Sequence, residues 1–535
     1  MKKKYRPTLH ANVNSQHISV VRDLRDLLIS RAKSASNKIA FRYRVARNEI
    51  RNVTFAEFAD EVTELSNFLL EQGFINKHIA IIGKNSYQWV LAFFAITTTG
   101  NVAVALDSSL DKNQVAKYLQ HSDSCAVFCS KEYYADLNML LTDSNVSVFK
   151  LNGISELINN CNMPNSNNHI QINPDQPAAI FYTSGTSGES KGVILTHKNF
   201  ASNINTHREK YIAKGETLSV LPYHHAYGLS VAILFVFNEE HTIFINSGLK
   251  LLLEDFIISS PVVMAIVPLY LKHFKKRILD GVKKNNAENK FAFGIKLSKF
   301  LLKFGIDLRR KIFKDIHAEF GGNLVDLICG GAPIEDELIQ FFKNIGITVT
   351  NGYGLTETSP VVSTEKADDT RAGSCGTVLS SCRVRIAEDG EIFISGDSVF
   401  IGYYKNEELT GEVLRNGEFA TGDLGHLDQD GFLYITGRKK NLIILSNGEN
   451  ISPEEIEMKL GLYPGVAEVV VLAENDKLVA HIFPEEEYLG NLEYFMKIRK
   501  EYNSTANQYR KIADIILRDR EFIKNSNRKI LRHKI

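Results

Sequence analysis

Short apolar runs alternating with amphipathic helical stretches fill most of the first 330 residues, and few folds accept that pattern. Leu24, Leu27, Leu28 and Ala32 stand at helical spacing near the start. Thr54-Phe55-Ala56-Glu57 has the Thr-x-x-Glu spacing of a capping box and predicts a helix start. That helix carries Val62, Leu65, Phe68 and Leu69 and ends near Gly73. Residues 78–83 then read as a buried strand, 88–99 as a helix and 102–106 as a strand, and 126–129 and 146–149 continue the series. A second set of strands is predicted at 217–221, 242–245, 262–267 and 324–329. Strands that alternate with helices imply parallel sheets with helices on both faces. From 370 to 435 the pattern changes to short strands, with hairpin turns at Glu388-Asp389-Gly390-Glu391 and Asp428-Gln429-Asp430-Gly431, and predicts a small antiparallel or barrel-like subdomain. The last hundred residues read as a compact α+β lid. Ser452-Pro453-Glu454-Glu455 starts a helix with Ser as N-cap, Pro in the first turn and Glu at the capping-box position. Strands at 469–472 and 478–482 flank an Asn475-Asp476 turn.

A length of 535 residues is too long for one core. Sixty-three basic residues against 62 acidic ones offer no bulk-charge argument for nucleic acid. Six cysteines without metal-ligand spacing read as free thiols in a reducing cytoplasm. Met1-Lys2-Lys3-Lys4-Tyr5-Arg6-Pro7 is basic but lacks a following apolar region, which argues against a secretory signal. The longest apolar candidate, 262–271, is too short for a membrane span. A peripheral membrane contact stays open. Residues 272–317 are basic and helical, with Lys272, Lys275, Lys276, Arg277, Lys283, Lys284, Arg309, Arg310 and Lys311. They read as a solvated face, or as a surface for phosphates, an acidic partner or lipid head groups.

Between predicted strands at 178–181 and 192–195 lies Tyr182-Thr183-Ser184-Gly185-Thr186-Ser187-Gly188-Glu189-Ser190-Lys191-Gly192-Val193. Its glycines let backbone N–H groups approach an anion, its hydroxyls add short donors, and Lys191 adds a mobile point charge. The spacing is not that of the common nucleotide loop, which needs Gly-x-x-x-x-Gly-Lys-Ser/Thr before a helix. Taken alone, the stretch is either a polar turn or a polyphosphate grip.

That stretch resembles the phosphate loop of the AMP-forming adenylating enzymes: acyl-CoA synthetases, peptide-synthetase adenylation domains and beetle luciferases. Asn351-Gly352-Tyr353-Gly354-Leu355-Thr356-Glu357-Thr358 resembles their adenine and magnesium motif. Thr421-Gly422-Asp423-Leu424-Gly425 and Gly437-Arg438-Lys439-Lys440 are similar to their ribose-binding and hinge motifs, and all stand in the family's order. The resemblance implies an α/β fold with a large N-terminal domain, 1–437, made of two doubly wound subdomains plus the small β-barrel-like one. It also implies a mobile α+β C-terminal lid, 438–535.

The same resemblance implies ATP, Mg²⁺ and CoA as participants. Thr183, Ser184, Gly185, Thr186, Ser187, Gly188 and Lys191 would grip the β- and γ-phosphates. Glu357 would hold Mg²⁺, and Thr356 would donate to the α-phosphate. Gly331, Ala332 and Pro333, in Gly330-Gly331-Ala332-Pro333, would leave room for a flat purine beside Gly352, Tyr353 and Gly354. Asp423 and Arg438 would hold the ribose, and Lys440 would be the hinge of the lid.

Leu221-Pro222-Tyr223-His224-His225-Ala226-Tyr227-Gly228-Leu229 resembles the segment that ends in the acyl pocket, with His225 at a gate near the substrate carboxylate or as a core histidine. No acid follows within 226–233 to pair with an ammonium, so a fatty or aryl carboxylate is expected rather than an amino acid. Ser446-Asn447-Gly448-Glu449-Asn450-Ile451 and the basic helical segment point to the long-chain fatty acid type. In Asn525-Ser526-Asn527-Arg528-Lys529-Ile530-Leu531-Arg532, Lys529 matches the lysine that contacts carboxylate and α-phosphate. The family usually has Gly before it; Arg528 either costs reach or adds a second cation. The expected reaction joins a carboxylate to CoA through an acyl-adenylate. Transfer to an acyl carrier protein is the first alternative, and a non-catalytic nucleotide- or acyl-binding regulator the second.

Overall fold

The computed structural model describes residues 19–161, 170–184, 190–210, 214–445, 450–524 and 530–535. By packing, the chain divides into two compact units: positions up to 383 together with 395–417, and 384–394 together with 418–535. The expected boundary at 437/438 lies inside the second unit.

The first unit holds two sheets. One runs in the order Gly402–Tyr403, Ser190–Thr196, Pro177–Ser184, Val102–Leu106, His78–Ile82, Ser124–Cys129, Ser147–Lys150. Pairing is parallel from Pro177–Ser184 onward and antiparallel at the other end. His78–Ile82 is central and covered on both faces, so Ile79 to Ile82 are fully buried and read as a continuous apolar run. The other sheet runs Thr377–Val378, Val361–Thr364, Thr348–Gly354, Asp326–Cys329, Val263–Ile266, Thr217–Ser219, Ile243–Ile245, Ile39–Ala46, Glu49–Thr54. The alternation of strand and helix thus yields two parallel-cored sheets, as expected.

Among the strands that gave no sequence signal are Ile39–Ala46 and Glu49–Thr54 at the sheet edge. Arg42 and Arg44 interrupt the apolar pattern there, and each is neutralised by a distant carboxylate, Glu216 and Asp255, at 2.7 Å. The capping box at Thr54 forms: Thr54 Oγ1 accepts from Glu57 N at 3.2 Å and Glu57 Oε2 accepts from Thr54 N at 2.7 Å. It sets the helix Phe55–Glu71, whose Phe58 packs edge to face on Phe94 at 5.2 Å between centroids.

In the second unit, residues 391–394 pair with Glu418–Leu427, and that strand pairs with Leu433–Arg438. Beyond them Val466–Glu474, Lys477–Pro484 and Ile512–Leu517 form a three-stranded sheet covered by helices Pro453–Leu460 and Leu492–Thr505. The Asn475-Asp476 turn has φ of 49° and 61°, the left-handed pair that a tight hairpin needs. One local expectation is corrected. Ser452 precedes the helix but makes no capping bond; its hydroxyl donates instead to Thr436 O at 2.7 Å. A strand carbonyl close by competes better for the hydroxyl than it serves the helix end.

Candidate active site

The described residues on either side of the 185–189 stretch are the two strands of a hairpin. Pro177–Ser184 pairs antiparallel with Ser190–Thr196, with Thr183 opposite Lys191. Gly185, Thr186, Ser187 and Gly188 lie outside the described residues, and of Ser184 only the backbone is described. Tyr118 donates to Ser190 Oγ at 2.7 Å and its ring lies 4.4 Å from that of Tyr182, which is hydrogen-bonded to His121 Nδ1.

The free edge of the hairpin is closed by Gly402–Tyr403, with Tyr403 opposite Val193 and Tyr404 N donating to Gly192 O at 2.7 Å. This places the Tyr403 hydroxyl on Glu357: Oη donates to Oε1 at 2.9 Å. Lys191 Nζ stands 5.0 Å from the centre of the same ring. Tyr403 therefore joins the predicted phosphate lysine to the predicted magnesium carboxylate. Burial, reinforced by the Glu357 charge, holds its hydroxyl well above the usual tyrosine range, so it stays a proton donor.

Glu357 and Thr356 sit on the single turn Thr356–Thr358. Gly354 precedes it at a position no other residue could take, because a Cβ would lie 1.8 Å from Pro360 O. Thr358 closes the turn, accepting from Leu355 N at 3.0 Å and donating to Pro360 O at 2.8 Å. Gly352 and Tyr353 lie on the preceding strand, Thr348–Gly354. In the neighbouring strand Cys329 pairs with Asn351, so Gly330 follows beside Gly352. Gly331, Ala332 and Pro333 are exposed, and Tyr227 donates to Ile328 O at 2.9 Å beneath them. The result is an open ledge at the carboxyl ends of parallel strands, where α/β sheets bind ligands.

Helix His197–His207 ties these pieces together. Asn199 Nδ2 donates to Asp397 O at 2.8 Å and Val399 O at 2.9 Å, and Asn203 Nδ2 to Val361 O at 2.7 Å. Asparagine is a poor helix former, so two of them on one helix face were a readable signal of a tether.

On the acyl side the segment around 221–225 is held by Asn85, which donates to Leu221 O at 2.7 Å and accepts from Tyr223 N at 3.1 Å. His225 is half-buried and its ring centre lies 4.3 Å from that of His224. His224, passed over in the sequence, is the buried one, 3.3 Å from Asp107. Burial, then the neighbouring His225, push it down to about 3 against the pull of Asp107, so it is a neutral imidazole. Past His225 the helix loosens into a π-helical turn, Ser230–Phe235, a frequent mark of a functional site. Beneath it lies a small cavity lined by Val231, Ala232, Phe235, Val236, Val263 and Ala265 among others.

In the second unit Asp423, almost fully buried, faces Arg438 across a strand pair, with Oδ1 2.6 Å from the guanidinium Nε. Gly437 is packed so closely that a Cβ would lie 2.1 Å from Ser452 Oγ. Lys439 pairs with Asp389 and Glu391, both at 2.7 Å, and these bonds push its ammonium up to about 12. Asn441 Nδ2 donates to Glu454 Oε1 at 2.5 Å. Lys440 thus lies between two anchored neighbours. Lys529 lies outside the described residues. On either side of it Phe522 N donates to Glu468 Oε2 at 3.0 Å and Leu531 N to Ile523 O at 2.8 Å, and Arg532 is paired with Glu457.

The donor set fits magnesium held chiefly by phosphates. Glu357 offers one hard carboxylate, and no cluster of three or more His, Cys, Asp or Glu suited to a metal exists among the described residues.

A model of the AMP-binding enzyme family matches residues 29–404. A long-chain-fatty-acid–CoA ligase of Mycobacterium bovis, FadD15, is 30% identical over 79% of this chain and 75% of its own length. A 2-succinylbenzoate–CoA ligase of Bacillus cereus is 30% identical over 80% of this chain and 82% of its own. The fold is that of o-succinylbenzoate CoA synthetase from Bacillus subtilis, solved with its acyl-adenylate intermediate: TM-score 0.74, 23% identity, 95% of this chain and 97% of that one. The same enzyme has been solved with ATP and a magnesium ion. By sequence and by fold, the chain belongs to the AMP-binding enzyme family.

Proposed function

We propose that the protein activates a fatty carboxylate as acyl-adenylate and transfers the acyl group to CoA. The observation that carries this reading is the convergence of Lys191 and Glu357 on Tyr403 beside the hairpin. A carboxylate oxygen attacks the α-phosphorus, the bond to pyrophosphate breaks, and a thiol sulfur then attacks the acyl carbonyl and releases AMP. The hairpin donors and Lys191 bind the leaving phosphates, and Thr356 orients the α-phosphate. Bound Mg²⁺ would neutralise phosphate charge there, held by Glu357. Asp423 and Arg438 would take the ribose hydroxyls, and Lys440, between its anchored neighbours, would absorb the rotation of the lid.

The buried apolar side chains of the π-helical turn past His225, among them Val231, Ala232 and Ile233, support an uncharged acyl chain. Carboxylate-dependent ATP–pyrophosphate exchange across a series of fatty and aryl acids tests the reading, and thioester formation with CoA against an acyl carrier protein tests the acceptor. No exchange with any acid would refute it, and exchange with succinylbenzoate alone would refute the fatty substrate.

Two substitutions probe the site. Tyr403→Phe removes a hydrogen bond to a charged group, so exchange should fall about tenfold, with a higher magnesium requirement. An unchanged magnesium dependence would contradict the positioning of Glu357 by Tyr403. Asp423→Ala should raise the KM for ATP about tenfold with little change for the carboxylate. A change confined to the carboxylate would contradict ribose binding.

A further inference from the structure

Helix Glu288–Lys303 is apolar on two faces. Its inner face is satisfied. Gly294 is buried where a Cβ would lie 3.0 Å from Ile312 and 3.3 Å from the Phe313 ring, Ser298 is 1% exposed, and Phe291 packs on Phe313 at 5.5 Å. The outer face has no such contact to explain it among the described residues. Phe293 and Phe300 fall at i and i+7 on one stripe, Phe304 caps the helix end beside Phe300, and the three are 65%, 56% and 67% exposed. Phe300 and Phe304 meet edge to face at 5.1 Å, ring against ring on the open side of the helix. Exposed phenylalanines in a row on a helix already docked by its other side are not a core stripe.

The charge around them is one-sided. Residues 268–304 carry ten lysines and arginines against Asp280 and Glu288, although the whole chain is nearly neutral. Lys272 and Arg277 are paired with Glu335 and Glu319. Lys290, Lys296, Lys299 and Lys303 are exposed and make no ion pair among the described residues. Aromatic rings in a stripe with long cations on its flanks match a surface that is apolar within and anionic at its rim. A soluble acidic partner would use the lysines but leave three phenylalanines in water.

We propose that the outer face of helix Glu288–Lys303 docks on an anionic lipid bilayer. Phe293, Phe300 and Phe304 enter the boundary between headgroups and acyl chains, and the flanking lysines meet the lipid phosphates. The contact is peripheral: no helix among the described residues is long and apolar enough to cross a membrane.

The test is co-sedimentation of the full chain with vesicles of phosphatidylcholine, alone or mixed with phosphatidylglycerol. Binding to the anionic vesicles should be about tenfold stronger and should weaken with salt. Phe293→Ser/Phe300→Ser/Phe304→Ser should lower it at least about fivefold, and Lys296→Glu/Lys299→Glu/Lys303→Glu should also remove the salt dependence. Phe300→Trp provides a reading in an otherwise intact chain, because the single native tryptophan, Trp89, is fully buried. Emission of the Phe300→Trp chain should shift to the blue on adding anionic vesicles. Equal binding to neutral and anionic vesicles, undiminished binding of the serine variant, or an unshifted emission from the Phe300→Trp chain would each overturn the proposal.

Discussion

Lys529→Ala is expected to slow acyl-adenylate formation by about 10²–10³-fold while leaving thioester formation from preformed acyl-adenylate and CoA unchanged. The first half-reaction forces a carboxylate against a phosphate, and the repulsion is greatest at the moment of attack. A cation between them acts where charge is shared by both, so its loss raises the barrier of that step. The second half-reaction starts from a mixed anhydride whose carboxylate charge is already gone, so the same lysine has nothing to neutralise. Pyrophosphate exchange reads the first step and acyl-adenylate consumption the second. Equal loss of both would contradict the role. The residues beside the motif are well anchored, by Glu468 on one side and by Glu457 through Arg532 on the other. Arg528 gives a second arm. If it adds a cation, Arg528→Gly lowers exchange; if it restricts reach, Arg528→Gly raises it.

The residues read correctly in the sequence share one property: their partners are near in the chain or their pattern is local. Val102–Leu106 is visible because a central parallel strand is apolar on both faces. Thr54 with Glu57, and Asn475 with Asp476, carry their own geometry. What escaped has partners far away. Tyr403 lies on a strand of two residues, too short to have a period, and meets Glu357 across 46 positions. Asn203 reaches Val361 across 158. His224, rather than the more exposed His225, is set against Asp107 at the end of a strand in the other sheet of the same unit. Adjacent histidines are indistinguishable until burial separates them. Ser452 shows the converse error, a local signature overridden by a strand carbonyl 16 positions earlier.

The same burial predicts a pH response in the helix that tethers the site. His197 and His207 stand at its two ends. His197 Nδ1 accepts from Leu24 N at 3.4 Å and its Nε2 is buried without a partner among the described residues; the His207 ring is packed on Phe235 at 4.4 Å. Desolvation pushes them down to about 3 and about 4, from an ordinary value of 6.5. Both are neutral when folded, whereas the unfolded chain takes up protons below 6.5. Their contribution is complete above pH 6.5 and is lost as pH falls toward 4 and then 3. At pH 5 each costs about 2 kcal/mol, and the pair about 4. Asp326 and Glu365, raised by burial to about 7, act with the opposite sign: their penalty is relieved as pH falls, so the slope of the whole protein mixes the two. A variant comparison isolates the histidines. The stability difference between His207→Leu and the native chain should shift by about 2 kcal/mol in favour of the variant between pH 7 and pH 5, read from urea midpoints. A difference independent of pH would mean that His207 titrates normally. Hydrogen exchange at Asn199 and Asn203 should rise over the same interval, because the helix that loses stability is the one holding Val361, Asp397 and Val399 in place beside Glu357 and Tyr403.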